Sequence, residues 1–192
     1  IRTVYIPYGV NLEEFKKSKK HDVDLKKPIV LCVSAFLEYK RIDLLIRAMQ
    51  DVDASFLLIG QGPVEQNLNE LGSRLLGARF MLKTGINHDE LVGYYKSADL
   101  FSLPSKSSEA FGIVFIEAMA AGLPVVSTND LNRREIVADA GILVNPENII
   151  EYAAGLKQAL QTDFDSKPQK QAAKFTWDKI AEKYEEILKT LT

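Results

Sequence analysis

Cysteine and long hydrophobic runs are the scarcest features of this sequence. The single cysteine among 192 residues, Cys32, lies in the apolar run IVLCV, so an intrachain disulfide framework is excluded and a reducing compartment is favoured. No apolar stretch approaches the roughly 20 residues that a membrane-spanning helix needs, and no signal-peptide pattern opens the chain. We therefore expect a cytoplasmic protein whose Cys32 packs in the core.

An excess of one charge is also lacking. Lysine and arginine total 24 against 26 aspartates and glutamates, which gives a formal net charge of -2. No sequence-wide positive field would attract a nucleic-acid backbone or an anionic membrane, so we expect no nucleic-acid partner. The two histidines, His21 and His88, lie near no serine or cysteine arrangement suited to nucleophilic hydrolysis.

Apolar runs alternate with amphipathic stretches along the chain. Runs that predict strands occur at 29–34, 55–60, 79–85, 99–105 and 123–128. Helical periodicity occurs at 41–50 and 89–98, and again at 147–161 and 177–191 around the polar spacer TDFDSKPQK. Strands that are apolar on both faces and joined by helices favour a parallel sheet covered on both sides. The sequence thus predicts an α/β fold, a Rossmann-like doubly wound sheet with extra C-terminal helices.

Sheets of this kind bind ligands beyond the carboxyl ends of their strands, which directs attention to the segment SEAFGIVFIEAMAAGLPVV at 108–126. Glu117 is the only charged residue between 110 and 126. A helix at 111–121 that is apolar nearly all round is buried, and a buried carboxylate costs several kcal/mol unless it is paired or hydrogen-bonded. The hydroxyls of a bound ribose would supply those bonds. A neighbouring backbone amide, or extension to solvent, is the alternative.

The start of that helix has the features of an anion site. The amides of Phe111, Gly112 and Ile113 would lack acceptors in a first turn, and Gly112 has no side chain to block an approaching phosphate or sugar. Glu109 stands in the loop just before. A glycine at a helix entry can equally serve the backbone conformation alone.

A pair of cations, Lys40 and Arg41, follows the first predicted strand and opens the helix at 41–50. The helix dipole disfavours each cation there by roughly 0.3–1 kcal/mol. A diphosphate would remove this conflict, and Asp43 in the same turn is the alternative partner.

Two further motifs fail to predict a dinucleotide cofactor or a metal ion. The turn GQGP at 60–63 would need its third glycine at Glu65, so it fails as a dinucleotide fingerprint and is interpreted as a turn lining the cleft. The three Asp-x-Asp matches, at 22–24, 51–53 and 163–165, follow no apolar strand and are interpreted as solvated connectors. We therefore expect no metal site.

Taken together, these residues resemble the C-terminal, donor-binding domain of GT-B-fold retaining glycosyltransferases, the family called GT4 or group 1. The pair Glu109 and Glu117, within EAFGIVFIEAMAAGLPVV, matches the Glu-x7-Glu motif of that family together with its flanking sequence. The resemblance covers nearly the whole chain. It implies a UDP- or GDP-linked sugar as donor substrate, with no separate cofactor and no bound metal.

The resemblance also implies a role for each matching residue. Glu109 and Lys40 would be catalytic, with Glu109 on the transferred sugar and Lys40 on the diphosphate. Glu117 would hold the ribose, and the backbone of Ile86 would face the base. The nucleotide-sugar-binding residues that it implies are Gly9, Arg41, Ile86, Phe111, Gly112, Ile113 and Glu117.

The implied layout places the end of an interdomain linker at 1–15, the donor-binding domain at 16–175 and a closing helix at 176–192. The resemblance also implies an N-terminal acceptor domain outside this sequence, through which the enzyme could associate with a membrane. Because the sequence begins with Ile1, we expect it to be part of a longer protein. Ala35 replaces a family arginine, and Asn132 and Arg133 stand where a glycine pair is usual. Arg41, where many members have glycine, is the cation that would compensate.

The sequence therefore predicts transfer of a hexose from a UDP- or GDP-sugar, with retention, to an acceptor that is a glycan, a lipid-linked group or a small molecule. One alternative keeps the fold and changes the reaction to that of a nucleotide-sugar epimerase or a sugar phosphorylase. Another is a non-catalytic nucleotide-binding module in which Glu109 serves only structure. The broken glycine fingerprint argues against an NAD-dependent oxidoreductase.

Overall fold

A computed structural model describes residues 6–109 and 111–189 of the chain. Its centre is a parallel sheet of six strands in the order β3-β2-β1-β4-β5-β6. The strands are β1 Ile29–Val33, β2 Ser55–Ile59, β3 Phe80–Lys83, β4 Leu100–Leu103, β5 Val125–Thr128 and β6 Gly141–Val144. Every residue of β1, β2 and β4 is buried, because helices cover both faces of the sheet.

Two groups of helices cover the sheet. The helices are α1 Leu12–Lys17, α2 Ile42–Ala48, α3 Glu65–Leu76, α4 His88–Ser97, α5 Ile113–Ala120, α6 Leu131–Val137, α7 Ile149–Gln161, α8 Lys167–Ala172 and α9 Trp177–Lys189. Helix α2 contacts α3 and α7, whereas α5 contacts α4, α6 and α8. The predicted doubly wound, Rossmann-like α/β fold is confirmed.

The strand order reverses between β1 and β4, which lie side by side although β2 and β3 separate them along the chain. Strands β2 and β3 are added on one side of β1. The chain then crosses to the other side of β1, where β4, β5 and β6 are added in turn. The connections that leave β1 and β4 therefore diverge, and a crevice opens beyond the carboxyl ends of these two strands. Both cationic and acidic candidate residues lie in the loops that follow β1 and β4.

Three elements differ from the sequence prediction. Strand β6 was not predicted because GILV is short and directly follows a turn. Helix α8 occupies part of the spacer that was predicted to be irregular, and it packs on α5. Helix α1 begins within the predicted linker at 1–15, yet its Phe15 is buried and lies 6.2 Å from Tyr95 of α4 between ring centres.

The N-terminal segment and the last helix lie together. Val10 forms a parallel bridge with Thr176, and its amide donates to the carbonyl of Phe175 at 2.8 Å. Helix α9 follows, with Ile180 buried and most of its later residues exposed. The parts of the predicted linker at 1–5 and of the predicted closing helix at 190–192 lie outside the described residues, so the domain boundaries stay predictions.

Candidate functional site

Two adjoining cavities lie at the carboxyl edge of the sheet, where the strand order reverses. The first, of about 500 Å³, is lined by Ile59, Gly60, Gln61, Gly85, Ile86, Asn87 and Leu91. The second, of about 380 Å³, is lined by Tyr8, Lys40, Glu109, Phe111, Gly112 and Ile113. Val33, Ser34, Ala35 and Val114 line both. The two cavities thus form one cleft above β1 and the start of α5.

Lys40 and Glu109 form a salt bridge in the second cavity. Lys40 ends a short 3-10 turn at Glu38–Lys40 after β1, and Glu109 ends the loop after β4. The two side chains are only 11% and 13% exposed, so little water screens their charges. The predicted pair of catalytic residues is therefore brought together, although the residues are 69 positions apart in sequence.

The start of α5 opens into the same cavity. Gly112 is its N-cap residue, with a left-handed backbone at φ 77°, and a Cβ there would lie 2.7 Å from the ring of Phe115. The amides of Gly112, Ile113 and Val114 have no acceptor within the helix, and its dipole favours an anion there. Phe111 lies before the helix rather than in its first turn, and its ring packs on Phe175.

Glu117 lies one turn further along α5 and is only 5% exposed. The hydroxyl of Tyr95 donates to its Oε2 atom at 2.9 Å, which is neither of the two alternatives that we weighed from the sequence. Burial raises the pKa of Glu117, although the bond from Tyr95 and the nearby His88 act in the opposite direction. Glu117 is not among the residues that line either cavity. The predicted burial of this carboxylate is confirmed, whereas its role in holding a ribose stays a prediction.

Arg41 takes different partners from those predicted. Its guanidinium donates to the carbonyls of Pro104 and Ser105, to the hydroxyl of Thr128 and to the carboxylate of Glu147. Neither Asp43 nor an approaching diphosphate is needed to satisfy its charge, and Arg41 lines neither cavity. Its anionic partner lies 106 residues away in sequence, beyond the reach of any local pattern.

Ile86 lines the first cavity together with Gly85 and Asn87, at the end of β3. Gly9 lines neither cavity, and a Cβ at Gly9 would lie 2.5 Å from the indole of Trp177. Its neighbour Tyr8 does line the second cavity. The predicted turn at 60–62 lines the first cavity through Gly60 and Gln61.

Sequence reasoning missed several residues at or near the site. Ser34 and Val114 line the cleft, and their positions after a strand and at a helix start could have indicated them. Ala35, the first departure from the family pattern, is exposed and lines both cavities. Arg133, in the second departure, is completely buried beneath the loop after β4, which no local pattern predicted.

The described part of the chain contains no group of three or more His, Cys, Asp or Glu side chains that could hold a metal ion. All six aspartates of the three Asp-x-Asp matches are exposed, and none lines the two cavities. Among the same described residues, no helix is both long and apolar enough to cross a lipid bilayer.

Comparison with known proteins identifies the family. The family described as "Glycosyl transferases group 1" matches residues 13–187, which is nearly the whole chain and includes every site residue named above except Tyr8 and Gly9. The chain belongs to this glycosyltransferase family. The predicted resemblance to group 1 enzymes is thereby confirmed.

Curated relatives and solved structures of this glycosyltransferase domain agree with that assignment. A GDP-mannose-dependent alpha-(1-6)-phosphatidylinositol monomannoside mannosyltransferase of Mycobacterium tuberculosis is 28% identical over 96% of the chain and 55% of its own length. An uncharacterised glycosyltransferase of Methanocaldococcus jannaschii is 32% identical over 95% of the chain and 50% of its own length. The chain therefore spans about half the length of the curated relatives that it matches.

The solved structures show the same fold. Anabaena HepE in complex with UDP superposes with a TM-score of 0.82 and 22% identity, over 96% of this chain and 57% of that one. A glycosyltransferase from Rickettsia africae superposes with a TM-score of 0.80 and 23% identity, over 97% of this chain and 56% of that one.

Proposed function

We propose that this chain binds the nucleoside diphosphate of an activated sugar. We further propose that the longer protein containing it transfers a hexose from a UDP- or GDP-sugar to an acceptor, with retention of anomeric configuration and without a bound metal ion. The observation that carries this proposal is the Lys40–Glu109 salt bridge beside the open start of α5. Because the chain spans about half of its relatives, we assign the acceptor site to the other half.

The diphosphate is assigned to the second cavity. Lys40 supplies a positive charge there, and the free amides at the start of α5 add the favourable end of a helix dipole. Lys40 is buried, so water screens its charge only weakly. Incoming phosphates would compete with the Glu109 carboxylate for Lys40. A sugar hydroxyl can then donate a hydrogen bond to Glu109.

The nucleoside is assigned to the first cavity, which has no charged residue in its wall. The base would lie near the backbone at Gly85 and Ile86, with Gln61 as the exposed polar side chain within reach. The ribose would extend toward α5. There Tyr95 donates to the Oε2 atom of Glu117, and Oε1 is the acceptor that we assign to a ribose hydroxyl.

Chemically, the C1–O bond to the diphosphate breaks, and the acceptor oxygen bonds to C1 on the same face. The acceptor proton passes to the departing diphosphate, so charge and atoms balance. Negative charge develops on the leaving phosphate, and Lys40 and the amides at the start of α5 would stabilise that charge. Preorganised charges of this kind stabilise a transition state because they need no reorganisation during the reaction.

The comparisons support both nucleotides as candidates. The Mycobacterium tuberculosis relative is named as GDP-mannose-dependent, whereas Anabaena HepE was solved with UDP. Titration calorimetry of the chain with UDP, GDP, ADP and CDP tests the binding step. We expect saturable binding of UDP or GDP that Lys40→Met weakens by at least tenfold. Equal affinity for all four nucleotides, unchanged by Lys40→Met, would reject the assigned cleft.

The catalytic step is tested in the full-length protein. We expect Glu109→Gln to lower kcat by roughly 100-fold, whereas Glu70→Gln, an exposed carboxylate on α3, leaves kcat unchanged. Unchanged turnover in Glu109→Gln would support a role for Glu109 in structure alone. Proton NMR of the first product should show the anomeric configuration of the donor, and an inverted product would reject retention.

A further inference from the structure

Three consecutive backbone carbonyls at the beginning of the Glu109 loop accept hydrogen bonds from arginines. Arg41 donates from Nε to Pro104 at 2.8 Å and from Nη2 to Ser105 at 3.1 Å. Arg133 donates from Nη2 to Lys106 at 3.1 Å. Beyond Lys106 the loop is exposed at Ser107 and Ser108 and returns with Glu109. The arginines therefore hold the last buried part of the loop before its exposed turn.

The contact at Lys106 reaches Glu109 directly. The carbonyl of Lys106 accepts both from Arg133 and from the amide of Glu109, at 3.0 Å. The amide of Lys106 in turn donates at 2.9 Å to the carbonyl of Tyr39, the residue before Lys40. The backbone next to Glu109 is thus bonded both to Arg133 and to the backbone next to Lys40.

Arg133 is also connected to the start of α5 through a contact with Phe115. Its guanidinium carbon lies 5.8 Å from the centre of the Phe115 ring, and that ring occupies the space that a Cβ on Gly112 would need. Arg133 thereby supports the N-cap of α5 through the ring of Phe115. One buried side chain contacts both the loop that presents Glu109 and the helix start that presents its amides to the cleft.

Arg133 is held there at an energetic cost. It is 0% exposed, its Nε has no partner among the described residues, and Asp130 is its only carboxylate partner. A buried donor without an acceptor destabilises the folded state. Arg41 is also strained, since its backbone is left-handed at φ 53° without being glycine. Two unfavourable arginines that converge on one loop indicate a role beyond packing.

We propose that Arg41 and Arg133 are positioning residues that fix the loop at 104–109 and so set the position of Glu109 relative to Lys40. We call these two side chains the arginine clamp. Neither arginine lines the cleft, so the clamp acts through Glu109 and α5 rather than on the substrate. The consequence for turnover rests on the proposed function, whereas the effect on the loop does not.

Amide hydrogen exchange in the 192-residue chain, measured by NMR, tests the effect on the loop. In Arg133→Lys and Arg41→Met we expect exchange at the Lys106 and Glu109 amides to accelerate at least tenfold, while amides of β2 keep their protection. Arg74→Met, at an exposed arginine on α3, is the matched control and should change neither set. Uniform acceleration across the sheet, or unchanged exchange in the loop, would overturn the clamp.

Turnover in the full-length protein provides the second readout. We expect each clamp variant to lower kcat at least tenfold at a temperature where it is fully folded, with the donor KM changed less than threefold. If wild type transfers sugar and the clamp variants keep its kcat, the clamp is rejected and the proposed function stands. If wild type transfers no sugar, the proposed function fails and hydrogen exchange still decides the clamp. Should Arg133→Lys not fold, the partly exposed Arg41→Met carries both measurements.

Discussion

The hydroxyl of Tyr95 donates a 2.9 Å hydrogen bond to the carboxylate of Glu117, and both groups lie within the core. Burial raises the pKa of each, so the ionised carboxylate of Glu117 is disfavoured in the folded chain. A core built for stability alone would place an apolar residue on this face of α5. We propose that the carboxylate serves a ligand that uses its second oxygen.

Glu117→Gln should change how stability depends on pH. Because the folded-state pKa of Glu117 is raised, its contribution to the free energy of unfolding is fully present below the unfolded pKa, near 4.5, and is lost as pH rises through the folded pKa. Glutamine does not titrate, so the variant does not lose this stability as pH rises. We expect its stability relative to wild type to increase as pH rises above the unfolded pKa, as measured by urea unfolding. Parallel pH profiles for variant and wild type would contradict this.

The same Glu117→Gln variant should bind nucleotide more weakly. An amide presents one acceptor where the carboxylate presents two, and charge-assisted hydrogen bonds are roughly twice as strong as neutral ones. We expect UDP or GDP affinity to fall by at least tenfold in calorimetry while stability at pH 7 is kept or increased. Glu70→Gln serves as the control for removing a charge.

Gly112→Ala should disturb both the fold and the cleft. The left-handed φ of 77° disfavours alanine, and the added Cβ would lie 2.7 Å from the Phe115 ring. We expect a loss of about 1–3 kcal/mol in the free energy of unfolding and weaker nucleotide binding. Gly77→Ala is the control for nucleotide binding, since φ there is also positive at 55° and Gly77 lines neither cavity. Nucleotide affinity that Gly112→Ala leaves unchanged would contradict a diphosphate site at the start of α5.

Ala35→Arg should strengthen nucleotide binding. Ala35 is exposed and lines both cavities, so a longer side chain fits without displacing the core. A second cation beside the diphosphate would add charge-assisted hydrogen bonds, for which we expect about a tenfold gain in affinity. Ala35→Gln, which has similar reach and no charge, should leave affinity near that of wild type. Weaker binding by Ala35→Arg would place the diphosphate elsewhere.

Arg41→Gly and Arg41→Ala should differ from each other. Both lose the four hydrogen bonds of the guanidinium, but only glycine relieves the left-handed backbone at φ 53°. We expect the glycine variant to be more stable than the alanine variant by about 1 kcal/mol, and both to be less stable than wild type. Urea unfolding measures the difference. Equal stabilities of the two variants would show that position 41 carries no backbone strain.

Much of the fold could be predicted because it is encoded locally. The apolar runs of β1, β2, β4 and β5 are buried on both faces, so each strand is recognisable without its neighbours. Strand β6 and helix α8 are short, and their stability depends on packing against β5 and α5 rather than on their own sequence pattern.

At the cleft, the positions of Glu109 and Lys40 could be predicted, because strand ends and helix starts indicate where parallel sheets bind ligands. The partners of the arginines could not. Arg41 meets Glu147 across 106 residues, and Arg133 is buried because the loop after β4 folds over it. Such contacts depend on how distant loops meet at one edge of the sheet, which hydrophobic periodicity does not report.

An NMR titration of the isotope-labelled chain with UDP and with GDP tests the central claim most directly. The account predicts saturable shifts at the amides of Gly112, Ile113 and Val114 and at Ile86, with the first three reduced in Lys40→Met. Saturable shifts confined to residues outside the two cavities, or no saturation by either nucleotide at millimolar concentration, would contradict it.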